Sequence, residues 1–322
     1  MSFISVIIPT RNRADRLILA LDSLYSQNFE PDKFEIIVVD NGSSDNTKDT
    51  AMLFKNKFKN FSYVFEEKKG LHIGRNLGMK LSKGNIIAYI DDDVKVGDKW
   101  LEGISETFQN PETALAGGNN FPDFETAPPV WFDKIWNYNE YGKYVSIFSI
   151  LDFGNQIKEI NPVYVWGCNY IIRKNVLMKI CGFHPDSMPD ELLKYRGDGE
   201  TYVSKEVKKM NYKIMFNPKI SVYHFVPQSR MTFEYIRKRC FMQGISDSYF
   251  YTRQKGCVSN KLAVKILWNY LKFLKDVCLQ KYDFFQQIQK KSYFNGWLFH
   301  QVQLRKDKNL INWVMKEEYN DL

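Results

Sequence analysis

The sequence predicts an α/β protein with a mostly parallel central sheet flanked by helices and a helical C-terminal extension. Three observations lead there. Short β-branched runs alternate with helically spaced stretches through the first part of the chain, the pattern of right-handed βαβ units and a parallel sheet. Each of those runs ends in polar residues. Beyond Arg230 the apolar spacing becomes helical.

Taken in order, Ser5-Val6-Ile7-Ile8 is the first strand. Pro9 stops it, and Thr10-Arg11-Asn12-Arg13 follows at its C-terminal end. Leu17, Leu21, Leu24 and Tyr25 predict a helix from Ala14 to Gln27. Phe34 to Val39 is a second strand closed by Asp40-Asn41-Gly42-Ser43-Ser44-Asp45, with Ser44 or Asp45 as the next N-cap. Phe61–Phe65 is a third strand, Gly70–Lys83 a loop and helix, and Ile86–Ile90 a fourth strand. A helix is expected over about Asp98–Gln109, strands over Ala114–Asn119 and Ile160–Asn169, and a short helix from Lys174 to Ile180. Pro122 to Asn155 reads as an irregular aromatic insertion, a core-packing cluster in preference to a sugar-stacking wall. A helix-like run starts at Tyr202, and short strands cover Ile214–Phe216 and Ile220–Phe225.

At 322 residues, with 44% hydrophobic and 16% aromatic content, the chain buries a sizeable core and is not disordered. The apolar opening is too short for a signal sequence and lacks a basic leader. No apolar run is long enough to span a bilayer, so a cytoplasmic location is expected, with peripheral contact at the inner membrane face. Five scattered cysteines, Cys168, Cys181, Cys240, Cys257 and Cys278, read as reduced thiols. The net charge of +8 is uneven: from Arg230 onward 17 Lys/Arg face 8 Asp/Glu, a balance of +9. Leu262, Ile266, Leu267, Tyr270, Leu271 and Leu274, interleaved with Lys261, Lys265, Lys272 and Lys275, make an amphipathic basic helix. Such a helix either docks on the protein or rests on an anionic surface. No nucleic-acid-binding motif accompanies the charge, and no nucleic-acid partner is expected.

The chemistry centres on Asp91-Asp92-Asp93, just after the fourth strand. If extended geometry persists, Asp91 and Asp93 share a side and Asp92 faces away. Adjacent carboxylates repel, and Mg²⁺ or Mn²⁺ completed by phosphate oxygens removes the conflict; the alternative is a solvated acidic turn. Thr10 and Asp40 also follow apolar runs, so three strands deliver polar groups to the carboxyl edge, where α/β sheets bind ligands.

Ser5 to Arg13, Val39 to Asp45, Gly74-Arg75-Asn76 and Asp91-Asp92-Asp93, in this order and rough spacing, resemble family 2 glycosyltransferases. Trp166-Gly167-Cys168-Asn169 and Gly197-Asp198-Gly199-Glu200-Thr201 are similar to that family's acceptor-side motifs. The resemblance covers about residues 1–225. It implies a GT-A (Rossmann-like) fold and inverting transfer from a nucleoside-diphosphate sugar, UDP-sugar by default. The acceptor would be a glycan or lipid-linked hydroxyl, in cell-surface polysaccharide or glycoconjugate synthesis. It further implies that Pro9, Thr10, Asn12, Arg13, Asp40, Arg75, Asn76 and Asp92 bind the donor. Asp91, Asp93 and His224 would hold the metal, and Trp166, Gly167 and Asn169 would face the acceptor. Glu200 would be the general base, with Asp198 as the alternative, because Asp198-Gly199-Glu200 departs from the family's usual Glu-Asp pair. The implied organisation is a transferase domain over 1–228, with 1–100 the donor half and 101–228 the acceptor half, followed by a basic helical extension over 229–322. A non-catalytic nucleotide- or glycan-binding module is the competing reading.

Overall fold

The computed structural model describes residues 3–256, 258, 260–317 and 319, with 260–263 and 265 described as backbone only. Its strands are β1 (Ile4–Thr10), β2 (Phe34–Asp40), β3 (Phe61–Phe65), β4 (Ile86–Ile90), β5 (Val94–Val96), β6 (Thr113–Gly117), β7 (Asn120–Phe124), β8 (Asn137–Tyr138), β9 (Lys143–Val145), β10 (Ile150–Asp152), β11 (Lys158–Glu159), β12 (Asn169–Arg173), β13 (Lys213–Phe216) and β14 (Val222–Val226). The helices are α1 (Ala14–Tyr25), α2 (Thr47–Met52), α3 (Leu71–Leu81), α4 (Trp100–Thr107), α5 (Lys174–Lys179), α6 (Gly199–Lys209), α7 (Phe233–Lys255), α8 (Asn260–Cys278), α9 (Phe284–Lys306) and α10 (Lys308–Met315).

Two compact units result. Residues up to 184 and 199–226 belong to the first; residues 185–198 and 227–317 belong to the second. Residues 185–198, expected within the transferase domain, group with the helical unit.

The main sheet of the first unit has the order β11-β13-β6-β12-β4-β1-β2-β3. Strands β4, β1, β2 and β3 run parallel, and β12 lies antiparallel between β4 and β6. The first, second and fourth apolar runs are buried along their whole length, because helices cover both faces of the sheet. Alternate residues enter two separate cores. Val6, Ile8, Val38 and Ala88 pack with Leu17, Leu21, Leu24, Trp100 and Ile104. Ile7, Ile37, Ile87 and Tyr89 pack with Met79, Leu177, Val203 and Val207. Each aliphatic side chain removed from water here stabilises the fold by roughly 1.5–3 kcal/mol.

The strand expected at Ile160–Asn169 starts only at Asn169, since Pro162–Tyr164 forms a helical turn. Asn46, in place of Ser44 or Asp45, occupies the N-cap of α2, although Asp45 still accepts from the Thr47 backbone N–H. The aromatic insertion contributes β7 to β10 to a second sheet, ordered β5-β14-β7-β10-β9-β8. Phe132 sits 5.2 Å from Phe124 and 5.3 Å from Phe148, ring to ring, as expected of core packing.

In the second unit α7 lies against α9. A Cβ on Gly244 would fall inside the contact radius of the Tyr293 carbonyl, and one on Gly296 inside that of Phe241. Reciprocal glycines therefore let the two backbones approach. The four described cysteines, Cys168, Cys181, Cys240 and Cys278, form no disulfide among the described residues. Cys257 and the side chains of Lys261, Leu262 and Lys265 lie outside them. Among the described residues, no helix is long and apolar enough to cross a membrane.

Candidate active site

Sheet register brings the polar strand ends together. Thr10 pairs with Asp40 across β1 and β2, and Tyr89 of β4 pairs with Ile7. Continuing that register sets Asp92 level with Thr10, whose Oγ1 donates to Asp92 Oδ2 at 2.8 Å. The acidic triplet does not keep the alternation expected of a strand. β4 stops at Ile90 and the chain turns at Asp92 and Asp93. Asp92 and Asp93 consequently share one cation, Arg13, whose Nη1 lies 2.9 Å from Asp92 Oδ1 and 3.0 Å from Asp93 Oδ2. Asp91 is bonded instead to Arg75.

Burial pushes the Asp92 carboxyl up to about 7, against the lowering effect of Arg13 and with the charge of Asp93 adding to the rise. Asp92 raises the Arg13 guanidinium above its ordinary value, outweighing the cost of burial.

His224 reaches the site from the second sheet. β5 begins directly after the triplet, and β14 pairs with it antiparallel, His224 opposite Val94. The Phe225 N–H donates to the Asp93 carbonyl at 2.9 Å. His224 Nδ1 lies 2.9 Å from the Phe148 carbonyl. A carbonyl only accepts, so Nδ1 carries the proton. The His224 Nε2 faces Asp93 Oδ1, 3.4 Å away. A carboxylate oxygen beside an imidazole nitrogen, with the ring held by a backbone carbonyl, is a donor set that fits a divalent cation.

On the other side of the triplet, Arg75 is fully buried on α3. Its Nη2 donates to Asp91 Oδ1 and to the Gly167 carbonyl, each at 2.8 Å. Its Nη1 lies 3.2 Å from His72 Nε2 and 3.9 Å from Glu200 Oε2. A Cβ on residue 167 would come within 2.6 Å of Nη1, so only glycine leaves room for this guanidinium. His72 Nε2 also approaches Glu200 Oε2, at 3.3 Å. Burial tends to raise the Glu200 carboxyl, but the hydrogen bond and charge of His72 and the charge of Arg75 prevail and hold it well below the usual range. Sequence reasoning did not assign His72. Its position one turn before Arg75 on the same helix was the available signal.

The other expected site residues make contacts within the fold. Asp40 is buried, its oxygens accepting from Tyr63 Oη at 2.7 Å and the Ser43 N–H at 2.8 Å. Asn12 adopts φ 53° and laces the loop after β1 to Ser43 and Ser44. Pro9 is buried within β1. Asn76 is committed to the Phe183 backbone through both ends of its amide. Asn169, expected at the acceptor, is buried and bonded to Trp100, Asn120 and the Ile220 carbonyl, so its amide pins strands together. Trp166 is half-buried and donates to the Val163 carbonyl. Asp198 is buried and belongs to the second unit, two residues ahead of Glu200 in the chain.

The model of glycosyl transferase family 2 matches residues 5–181, more than half the chain and most of the strands just described. The chain belongs to that family. As a family 2 glycosyltransferase it is similar to glycosyltransferase AglE of Haloferax volcanii, 37% identical over 131 residues, which are 39% of this chain and 43% of the relative. The match thus spans less than half of that relative's length. A glucosyl-dolichyl phosphate glucuronosyltransferase of the same organism is 22% identical over 250 residues, 76% of this chain and 75% of the other. Among solved structures, a mannosyltransferase of Pyrobaculum calidifontis in complex with GDP-Man and Mn²⁺ superposes with a TM-score of 0.59 at 14% identity, covering 94% of this chain and 87% of that one. S. aureus TarS 1–349 in complex with UDP-GlcNAc gives 0.53 at 16% identity, covering 94% and 92%. At such identities the likeness speaks for the fold, a GT-A-like α/β architecture with a helical C-terminal region.

Proposed function

We propose that this family 2 glycosyltransferase is an inverting, divalent-cation-dependent enzyme. It would move a hexose from a nucleoside-diphosphate donor, UDP-sugar in the first instance, to a hydroxyl of a glycan or lipid-linked acceptor in cell-surface polysaccharide or glycoconjugate synthesis. One observation carries the reading. Asp93 lies against His224, and its neighbour Asp91 lies against Arg75, which also approaches His72 and Glu200, so the triplet after β4 adjoins both clusters. The donor class is supported by the nucleotide-sugars in the two solved neighbours. The lipid-linked acceptor is supported by the dolichyl phosphate named for one relative.

Asp93 and His224 would hold Mn²⁺ or Mg²⁺, and Asp91, engaged with Arg75, would join them as a further carboxylate ligand. When bound, the cation offsets the negative charge that grows on the diphosphate leaving group. Arg13 is partly exposed and can turn a guanidinium N–H toward the same phosphates. Glu200 is ionised at neutral pH, as a proton acceptor must be, and its side chain is 27% exposed. It would take the acceptor hydroxyl proton as the new glycosidic bond forms and the bond to the diphosphate breaks on the opposite face. Thr10 and Asp92 hold Arg13 in register, and Asp40 shapes the turn that borders the donor side. The donor half would be 1–100, and the acceptor half 101–228 would lend residues 185–198 to the unit that holds the basic helical extension over 229–322.

The test is nucleoside-diphosphate release from a panel of nucleotide-sugars with Mn²⁺, with Mg²⁺ and with EDTA. Glu200→Gln should lose transfer while keeping donor-induced thermal stabilisation. Asp93→Ala should lose both transfer and cation-dependent donor binding. Undiminished transfer by Asp93→Ala in EDTA overturns the reading. A second reading, a binding module without turnover, is favoured by the depressed Glu200 carboxyl, which makes a weak base. It predicts donor-induced stabilisation with no diphosphate release from any donor and acceptor pair.

A further inference from the structure

Helix α8 carries two apolar faces. The inner one packs on α9: the Tyr270 and Phe273 rings lie 5.6 and 5.9 Å from that of Phe294. The outer one consists of Val264, Leu267, Trp268, Leu271 and Leu274, at the i, i+3, i+4, i+7, i+10 spacing that aligns side chains along one side of a helix. These five are not covered. Their exposures run from 40% to 69%, the highest at Trp268. Packing on α9 requires a single stripe, so the outer one is not explained by the fold. A contiguous exposed apolar strip marks an interaction surface. Exposed Lys272 and Lys275 border it, within the part of the chain that carries the +9 balance.

Charge decides the occupant. Two copies of the chain meeting through this face would bring Lys272 and Lys275 of one against those of the other, in segments that are both strongly positive. An anionic bilayer supplies opposite charge at the headgroups and an apolar layer just beneath them, matching lysines that flank a Leu/Trp strip. Spanning is not the mode, because no described helix is long and apolar enough to cross. We propose that the outer face of α8 docks on an anionic phospholipid surface, lying in the interface with Trp268 at its centre. This rests on the exposed strip and its charge, not on the sugar-transfer reading.

Flotation of the full chain with vesicles tests it. The vesicles are phosphatidylcholine alone, or phosphatidylcholine with one-quarter phosphatidylglycerol. The wild type should float with the anionic vesicles at low salt and much less in 0.5 M NaCl or with phosphatidylcholine alone. Leu267→Ser/Leu271→Ser and Lys272→Glu/Lys275→Glu should each weaken partitioning about tenfold or more. Leu53→Ser, an equally exposed leucine of the first unit, should leave it unchanged. All substituted positions are exposed, so circular dichroism and melting temperature should match the wild type, separating lost docking from lost folding. Equal flotation by the Leu267/Leu271 variant, or no flotation of the wild type, overturns the proposal. So does a wild-type dimer that the same variant dissociates without vesicle binding. Donor-induced thermal shift is measured in parallel without vesicles, so failure of the transfer reading and failure of docking are distinguishable.

Discussion

Replacing Arg75 by methionine tests the electrostatic architecture of the site most directly. The guanidinium is fully buried and bonds Asp91 and the Gly167 carbonyl at 2.8 Å, with Glu200 at 3.9 Å. Methionine fills much of the same volume, so little of the effect is a cavity. Breaking a fully buried ion pair from one side costs about 3–5 kcal/mol. Asp91 and Glu200 each keep 27% side-chain exposure, so water relieves part of that penalty. We expect a loss of about 2–4 kcal/mol at pH 7, including about 1 kcal/mol for the undonated carbonyl. The loss should depend on pH with a definite sign. Glu200 has its folded-state carboxyl depressed below the ordinary value of 4.5, in part by Arg75. Such a group contributes stability that is present above the unfolded value and lost as pH falls through the lower folded one. The variant forfeits part of that contribution, so its deficit should hold its full size from neutral pH into the acid range and narrow only once pH falls below the variant's own folded-state Glu200 value. Urea unfolding of both proteins across this range is the assay. A deficit below about 1 kcal/mol at pH 7, or one that grows as pH falls, would refute the network as a source of stability.

Other outcomes follow from single contacts. His300 is buried, and burial lowers its imidazole from 6.5 to about 4. The unfolded chain therefore binds this proton first, and wild-type stability should fall by about 3 kcal/mol between pH 6.5 and 4; acid unfolding of His300→Gln should be flatter over that window. Gly296→Ala gains about 1 kcal/mol of helix propensity but forces α7 and α9 apart at the Phe241 carbonyl. Overpacking should win, with a net loss of about 1–2 kcal/mol in thermal unfolding. Tyr63→Phe removes the hydroxyl that donates to buried Asp40, and should cost about 1–2 kcal/mol of stability. Gly167→Ala, whose Cβ would press on Arg75, should resemble Arg75→Met in direction, with a smaller loss of stability by urea unfolding.

The strand ends were legible because their signals are local. β-branched runs closed by Pro9, by Asp40 and by the acidic triplet predict strands and edge positions without knowledge of any neighbour, and β1, β2 and β4 follow those runs closely. The aromatic insertion reads as packing from its composition, but its second sheet is not legible, because strands as short as two and three residues carry no period.

Which polar groups meet was decided by the tertiary structure. The turn after Ile90 splits the three aspartates between Arg13 and Arg75. Strand order brings His224 of β14 against Asp93, and Arg75 of α3 against Gly167 and Glu200. Periodicity reports which face of its own element a side chain occupies. Its partner across the sheet depends on strand order and on where each backbone turns, and those are settled by packing between segments far apart in the chain. Asn76 and Asn169 make the point: the folded chain bonds their amides to the backbone of Phe183 and Ile220, partners that no local motif announces.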